Sequence, residues 1–300
     1  MQKIKIFKQL FVVICCLLMT TQICKADDYE PVTPKNGVYQ IANYNQLAWL
    51  FDVYIENNKF KVISVELLNN IEIPEGKKWK SQSIYGKLNF EGKGNTISGL
   101  NNALFSTIDD TKSVIQNLIL VVNVDKAYDF GAICNTNCGT IYKCTCKGSI
   151  SVSVGTVAGI CKLNYGTISY CTNNAKIYAK ESPTFSYTKN IGGICAENES
   201  GAKIINCTNY GELKGDSDIG GICGSNFGEI QNCTNNSPIS ECYSSVGGIC
   251  GSNYGEISSC SNVCSVSGKK ILVEFVEVIV KKSLVVKIQL LLMEKRKLVV

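Results

Sequence analysis

The sequence predicts an all-β fold, a parallel β-helix in which each coil of about 27 residues contributes about three short strands and one short helix caps the N-terminal end. The main observation is a motif, Gly-Gly-Ile-Cys-Gly-x-Asn-x-Gly-x-Ile-x-x-Cys, that recurs in five exact or looser copies. The leading cysteines of the copies follow one another at intervals of 27, 34, 28 and 27 residues, a solenoid period; they are Cys134, Cys161, Cys195, Cys223 and Cys250. One more short β-type piece lies between copies, and no segment of the repeat has a helical apolar period.

The N-terminus predicts export. Lys3, Lys5 and Lys8 precede an unbroken apolar run over residues 10–19, and small residues at 24 and 26 precede two aspartates. This arrangement is typical of a signal peptide, here residues 1–26 with cleavage after Ala26, followed by a linker over 27–36. Because a membrane span needs about 20 apolar residues, the run over residues 10–19 is too short, and we do not expect this protein to be an integral membrane protein. The expected location is extracellular or on the cell surface.

Residues 37–129 are predicted to form an N-terminal cap and the first coils. Asn43 and Gln46 form a capping box in front of an apolar face that includes Leu47, Leu50 and Phe51, which predicts one short helix. Such a helix would cover the open edge of the first coil. The turn-punctuated segments 90–100 and 114–120 are expected to be strands.

Residues 130–268 are predicted to form the cysteine-containing coils. An asparagine follows the first strand of each copy, where stacked amides can satisfy turn backbone groups; these are Asn137, Asn164, Asn198, Asn226 and Asn253. Glycines two residues later are expected to take a positive φ. Paired glycines, such as those at 220 and 221, are expected where strands crowd a corner. The extra residues 181–187 are expected to form a protruding loop.

The 14 cysteines after the leader allow three interpretations. Pairs ten residues apart, such as Cys223 and Cys233, suggest a disulfide within each coil. The interpretation that we favour is columns of free, buried, stacked thiols. Metal binding is the weakest, because no Cys-x-x-Cys knuckle is present.

Residues 271–300 abandon the repeat for a run rich in Val, Leu and Lys. We expect this tail to be an out-of-frame reading, so that the natural protein is longer. One synonymous spelling of residues 271–286, read from its third base, encodes Ile-Gly-Gly-Ile-Cys-Gly-Ser-Asn-Cys-Glu-Glu-Ile-Thr-Ser-Cys. This peptide is identical to residues 246–260 at eleven of fifteen positions. One adenine lost at the codons of Lys269 and Lys270 would suffice, which sequencing of the DNA can test.

The chain resembles a known family over residues 37–268. The segments that carry the likeness are Tyr39-Gln-Ile, Gln46-Leu-Ala-Trp49, the run from Gly92 to Leu100, and the repeated motif itself. They are similar to the GLUG-motif repeat proteins of bacterial cell surfaces. The resemblance implies an exported β-helical surface protein, often a stalk or adhesin-like module, and it supplies no active-site residues.

The composition narrows the chemistry. The sequence contains no histidine, which excludes Ser-His-Asp and Cys-His nucleophilic sites and histidine-ligated zinc. The net charge of +5 is mild and its basic residues concentrate at the two ends, so nucleic acid is not an expected partner. We expect no cofactor and no metal.

One column of aromatic residues is a candidate binding site. Tyr165, Phe227 and Tyr254 occupy the same repeat position, between the asparagine and the glycine of the bend. They could stack on the sugar rings of a glycan, or simply pack the turns. The function that we expect is a structural or adhesin-like binding module, not an enzyme, with a host or microbial glycan or a surface protein as partner. The alternative is a polysaccharide-active lyase or hydrolase on a β-helix.

Overall fold

The chain winds into a parallel β-solenoid of about eight turns, which confirms the predicted fold class. The computed structural model describes residues 29–268, apart from 154, 180–189, 216–217 and 243–244. The expected signal peptide, the expected loop over 181–187 and the tail over 271–300 lie outside the described residues. No helix within the described part of the chain is long and apolar enough to cross a membrane.

The N-terminal part contains the helix and the first coils. Helix α1 spans Tyr44–Trp49 and continues as a π-helical segment, Leu50–Ile55. The strands of this part are β1 (Tyr39–Ile41), β2 (Ile63–Leu67), β3 (Ile71–Glu72), β4 (Gln82–Ile84), β5 (Leu88–Glu91), β6 (Thr96–Leu100), β7 (Phe105–Ile108), β8 (Val114–Gln116) and β9 (Ile119–Ala127).

The cysteine-containing coils follow without interruption of the sheets. Their strands are β10 (Phe130–Gly131), β11 (Cys134–Asn137), β12 (Thr140–Tyr142), β13 (Thr145–Val152), β14 (Val157–Ala158), β15 (Cys161–Asn164), β16 (Thr167–Ser169), β17 (Thr172–Ala179), β18 (Ile191–Gly192), β19 (Cys195–Asn198), β20 (Lys203–Ile205), β21 (Thr208–Asn209), β22 (Leu213–Lys214), β23 (Ile219–Gly220), β24 (Cys223–Asn226), β25 (Glu229–Gln231), β26 (Thr234–Asn235), β27 (Ile239–Cys242), β28 (Val246–Gly247), β29 (Cys250–Asn253), β30 (Glu256–Ser258), β31 (Ser261–Asn262) and β32 (Val266–Gly268).

Equivalent strands of successive coils pair in parallel and form four sheets. The sheets contain nine, seven, five and eleven strands, and the five-stranded one consists only of two-residue strands at the paired-glycine corner, β10, β14, β18, β23 and β28. The register keeps like residues opposite one another, for example Cys134 with Cys161 and Asn137 with Asn164. The cysteine-containing coils therefore add a short corner strand to the expected three.

The glycines of the repeat are needed because coils crowd one another. At the corner, a Cβ added to Gly220 would overlap the carbonyl oxygen of Cys223. The glycine two residues after the asparagine is also required by crowding, because a Cβ on Gly166 would overlap the carbonyl oxygen of Gly139 in the preceding coil. The expectation of a positive φ at these later glycines is wrong, since neither Gly139 nor Gly166 has one.

The left-handed backbone of each coil lies at another position. In six successive coils one non-glycine residue at the same position has a φ between 51° and 55°; these residues are Asn117, Lys143, Tyr170, Asn206, Asn232 and Ser259. Each comes directly before the buried residue that starts the next part of the coil, which is Leu118 or a cysteine such as Cys144. This conformation is unfavourable for most side chains but tolerated by asparagine.

The interior consists of ladders of identical residues. Ile141, Ile168, Ile204 and Ile230 stack through successive coils and are fully buried. A second asparagine ladder, not expected from the sequence, lies at another corner. In it the Nδ2 of Asn173 donates to Oδ1 of Asn209, and the contact repeats down the ladder through Asn235 to Asn262.

The predicted helix caps the first coil. The side chain of Asn43 accepts from the backbone N–H of Gln46 at 3.0 Å, and Oε1 of Gln46 accepts from the N–H of Ala42 at 2.7 Å. Phe51 packs its ring 4.7 Å from that of Trp79 and 5.2 Å from that of Phe105. The helix start at Asn43 and the apolar cover are confirmed, but the Gln46 side chain bonds the N–H of Ala42 and not that of the N-cap residue, as a capping box would.

Candidate binding surface

The candidate surface is built on the first asparagine ladder. The Nδ2 of Asn164 donates to Oδ1 of Asn198 at 2.8 Å and to the carbonyl of Gly166 at 3.1 Å. Its own Oδ1 accepts from Nδ2 of Asn137 and from the N–H of Gly166. Because these bonds repeat along the ladder, the backbone of the corner is fixed in the same conformation in successive coils.

The residue that follows each ladder asparagine lies on the outside of this corner. Tyr165, Phe227 and Tyr254 lie there, with 50%, 44% and 71% of their surface exposed. Their N–H groups donate to the asparagine carbonyl of the preceding coil, at 2.8 Å for Tyr165 and 2.7 Å for the other two. The rings of Phe227 and Tyr254 stack, 4.9 Å apart and 12° from parallel. Tyr165 lies two coils away, beyond Glu199.

The same line of positions continues into the first coils, which the sequence reasoning missed. Ile84 pairs with Ile108, and Ile108 pairs with Asn137, so Tyr85 and Asp109 occupy the position after the corner. The sequence signal for these two positions is weak, because Ile84 and Ile108 precede them where the later coils have asparagine. We name the whole line the corner column, and it consists of Tyr85, Asp109, Cys138, Tyr165, Glu199, Phe227 and Tyr254.

The N-terminal end of the corner column carries a second aromatic pair. The ring of Tyr85 stacks on that of Phe60, with centroids 5.3 Å apart and planes 22° from parallel. Phe60 is 81% exposed. Exposed ring pairs therefore lie at both ends of the column, about 29 Å apart for six coil spacings.

The middle of the corner column is acidic. Burial, and then the charge of Glu197, raise the pKa of the Glu199 carboxyl above its ordinary value. Burial, followed by the charge of Glu199, raises the pKa of the Tyr165 hydroxyl. Burial and the charge of Asp109 raise the pKa of the Cys138 thiol. In all three groups burial is the larger cause of the raised pKa, and the charge of a nearby carboxylate is the second.

The described cysteines are free thiols, and most are fully buried. Cys134 and Cys161 stack with their sulfurs 3.7 Å apart. Burial raises the pKa of Cys144 and Cys171 well above the ordinary thiol value, so these groups stay protonated and unreactive. Among the residues that the structure describes, no three His, Cys, Asp or Glu side chains gather as metal ligands would.

Comparison with known proteins gives structural neighbours but no family. No family model and no curated protein matches the sequence. A crystal structure of a candidate immunoglobulin A1 protease from Bacteroides ovatus matches with a TM-score of 0.59 and 20% identity, covering 80% of each chain. A structure named IgA1 Protease matches with a TM-score of 0.64 and 16% identity, covering 79% of this chain and 20% of that one.

The chain shares the fold of these proteins. Their names contradict the expectation from the sequence that this protein is not an enzyme. That expectation rested on the missing histidine and on the lack of a recurring acid–base column. Both observations exclude particular chemistries only.

Proposed function

We propose that this protein is an exported β-solenoid that binds a glycan or a surface protein along the corner column. The observation that carries the proposal is the exposed, stacked pair of Phe227 and Tyr254. Covering such rings is favourable by about 25 cal/mol per Å² of apolar surface removed from water. Aromatic side chains are also the residues that most often dominate binding surfaces.

The scaffold beneath the rings keeps the binding surface ordered before a ligand binds. The corner backbone is held by the asparagine ladder, and each ring is attached directly after a ladder residue. A surface that is fixed before the ligand arrives loses little conformational entropy on binding.

Export is part of the proposal. It rests on the lysine-rich start, the apolar run over residues 10–19 and the small residue Ala26. The resemblance to the GLUG-motif surface proteins supports the same location.

Proteolysis of immunoglobulin A1 is the second candidate function, and the names of the two structural neighbours favour it. The two candidates are compatible, because a solenoid that holds a protein substrate can belong to a protease. As the sequence has no histidine, a nucleophile here would need a carboxylate, lysine or N-terminal amine as its base.

The test combines binding and cleavage on the full secreted chain. Glycan arrays and immobilised immunoglobulin A1 serve as ligands, and replacement of both Phe227 and Tyr254 by Ala is expected to weaken binding about tenfold or more. Tyr210→Ala is the matched control, because Tyr210 is 56% exposed and follows an asparagine of the other ladder. Equal binding by wild type, double variant and control would contradict the proposal.

The same preparations separate the enzyme alternatives. Cleavage of immunoglobulin A1 on a denaturing gel would establish the second candidate. Release of reducing sugar from a polysaccharide would instead establish the glycan-active enzyme.

A further inference from the structure

Two apolar side chains project into solvent beside the first coils. Phe60 and Val62 lie in the connection from the π-helical segment to β2, and they are 81% and 68% exposed. Phe60 is more exposed than any other large apolar side chain of the described residues. The ring of Tyr85, from the next coil, stacks on that of Phe60 and is 43% exposed. We name Phe60, Val62 and Tyr85 the N-terminal patch.

The backbone fixes the position of the N-terminal patch. The carbonyl of Lys59 accepts from the N–H groups of Tyr85 and Gly86, at 3.0 and 2.7 Å. A Cβ added to Gly86 would overlap the carbonyl groups of Phe60 and Lys61. The connection therefore lies directly against the next coil, and its apolar side chains cannot turn inward without breaking these bonds.

Lysines from two coils border the patch. Lys59 and Lys61 alternate with the apolar residues of the connection. The N–H of Ile63 donates to the carbonyl of Lys87 at 2.9 Å, which places Lys87 on the coil next to Val62. The apolar side chains are thus flanked by cations both along the chain and across to the neighbouring coil.

Glu56 compensates only part of this positive charge. Its carboxylate pairs with Lys59 at 3.2 Å and with Lys80 at 3.9 Å. Among the ion pairs of the described residues, none includes Lys61 or Lys87. Four lysines against one carboxylate leave the surface around the patch positive.

We propose that the N-terminal patch and its lysines bind the surface of a lipid bilayer that carries anionic headgroups. Phe60 and Val62 would be buried at the boundary between headgroups and acyl chains, where apolar surface is removed from water. Each lysine close to an anionic surface strengthens such binding about fivefold. This inference goes beyond the proposed function, because it concerns a lipid and shares only Tyr85 with the corner column.

The sequence of the patch favours a bilayer over a protein partner. Lysine is depleted in protein interfaces, whose aromatic anchors fill shaped pockets. Here Lys61 lies between the two projecting residues, so a protein that covered both Phe60 and Val62 would also bury its ammonium group. At a bilayer the lysine stem lies along the apolar region while the charged end stays among the headgroups.

Co-sedimentation of the full chain with lipid vesicles tests the proposal. Binding to vesicles of phosphatidylglycerol and phosphatidylcholine is expected to exceed binding to pure phosphatidylcholine about tenfold or more. Replacing both Phe60 and Val62 by Ser is expected to weaken binding to the anionic vesicles about tenfold or more. Replacing both Lys61 and Lys87 by Ser should weaken it by a similar factor. Val263→Ser is the matched control and should leave binding unchanged, because Val263 is 65% exposed but lies outside the patch.

The opposite outcomes are equally clear. Equal binding by wild type and the Phe60 and Val62 double variant overturns the proposal, as does equal binding to vesicles with and without phosphatidylglycerol. If no vesicle binds while the same double variant loses binding to a glycan or to immunoglobulin A1, the patch serves a macromolecular ligand and the proposal is wrong. The Phe227 and Tyr254 double variant separates the two proposals, since it should keep vesicle binding. Loss of vesicle binding in that variant would contradict the assignment to the N-terminal patch.

Discussion

Single residues in this protein matter because each is repeated in its neighbours. Asn164 makes five side-chain hydrogen bonds, two of them to the ladder asparagines of the preceding and the following coil. Replacing it by Leu leaves buried amide groups of Asn137 and Asn198 without their partners, at about 1 to 3 kcal/mol each. We expect Asn164→Leu to lower the free energy of unfolding by about 3 kcal/mol or more, measured by denaturant titration.

Asn253 provides the control for the ladder. It is only half-buried, and its side-chain Oδ1 accepts from Nδ2 of Asn226. Asn253→Leu should therefore destabilise less than Asn164→Leu. Equal losses would show that the ladder bonds are not what makes Asn164 important.

The left-handed position offers a stabilising substitution. Ser259 has a φ of 53° and is exposed, whereas the equivalent positions in the two preceding coils are Asn206 and Asn232. Because asparagine tolerates this conformation better, Ser259→Asn should raise the free energy of unfolding by roughly 0.5 to 1 kcal/mol. Ser258→Asn, one residue earlier in an extended strand, should bring no gain in the same measurement.

The raised pKa of Glu199 predicts a pH-dependent effect. Since the folded-state pKa exceeds the ordinary value of 4.5, the ionised carboxylate destabilises the fold. This penalty is absent well below pH 4.5, where the group is protonated in both states, and grows as the pH rises through the raised pKa. Glu199→Gln should therefore raise the Tm at pH 7 and leave it unchanged at pH 3. An equal rise at both values would refute this origin.

At the level of elements, helix α1 and the π-helical segment protect the first coil. Phe51 is fully buried against Trp79 and Phe105. Phe51→Ala should cost about 3 to 5 kcal/mol of stability, the usual range for a buried phenylalanine. Both tryptophans, Trp49 and Trp79, belong to this region, so their fluorescence reports on it. Asn43→Ala, which removes the helix cap and an exposed hydrogen bond from Nδ2 to Glu30, should cost about 1 kcal/mol.

The elements also show where sequence reasoning succeeds. The motif with its cysteine period predicted the coil, and Asn43 with Gln46 predicted the helix start. The second ladder was missed because Asn173 and Asn209 are separated by an irregular 36 residues. The left-handed column was missed because its occupants differ in chemistry, from Lys143 to Tyr170. The residues in this column share a backbone conformation but not a side-chain type, so the sequence shows no repeat there.

The candidate site was predictable only in part. Tyr165, Phe227 and Tyr254 were found because each follows a motif asparagine. Tyr85 was missed, since its coil has Ile84 at the asparagine position. The order along the column became visible only from the strand register, which places Glu199 on the coil after Tyr165 and Phe227 on the next one.

For the whole molecule, the thiol columns predict how it responds to reduction. A disulfide requires Cβ atoms about 3.8 Å apart, closer than the roughly 4.8 Å between coils. We therefore expect alkylation under denaturing, non-reducing conditions to label the 13 cysteines found free. Reductant should shift the Tm only slightly. A mass spectrum with most of them unlabelled would refute the free-thiol arrangement.

The in-register stacking has a consequence for how such a chain can change over time. Removing residues 227–253 joins Asn226 to Tyr254, and every remaining coil still meets a coil of the same pattern. Tyr254 would then take the place of Phe227 beside Glu199. Unequal recombination between repeats can thus shorten or lengthen the protein by whole coils while keeping a ring on each side of the carboxylate.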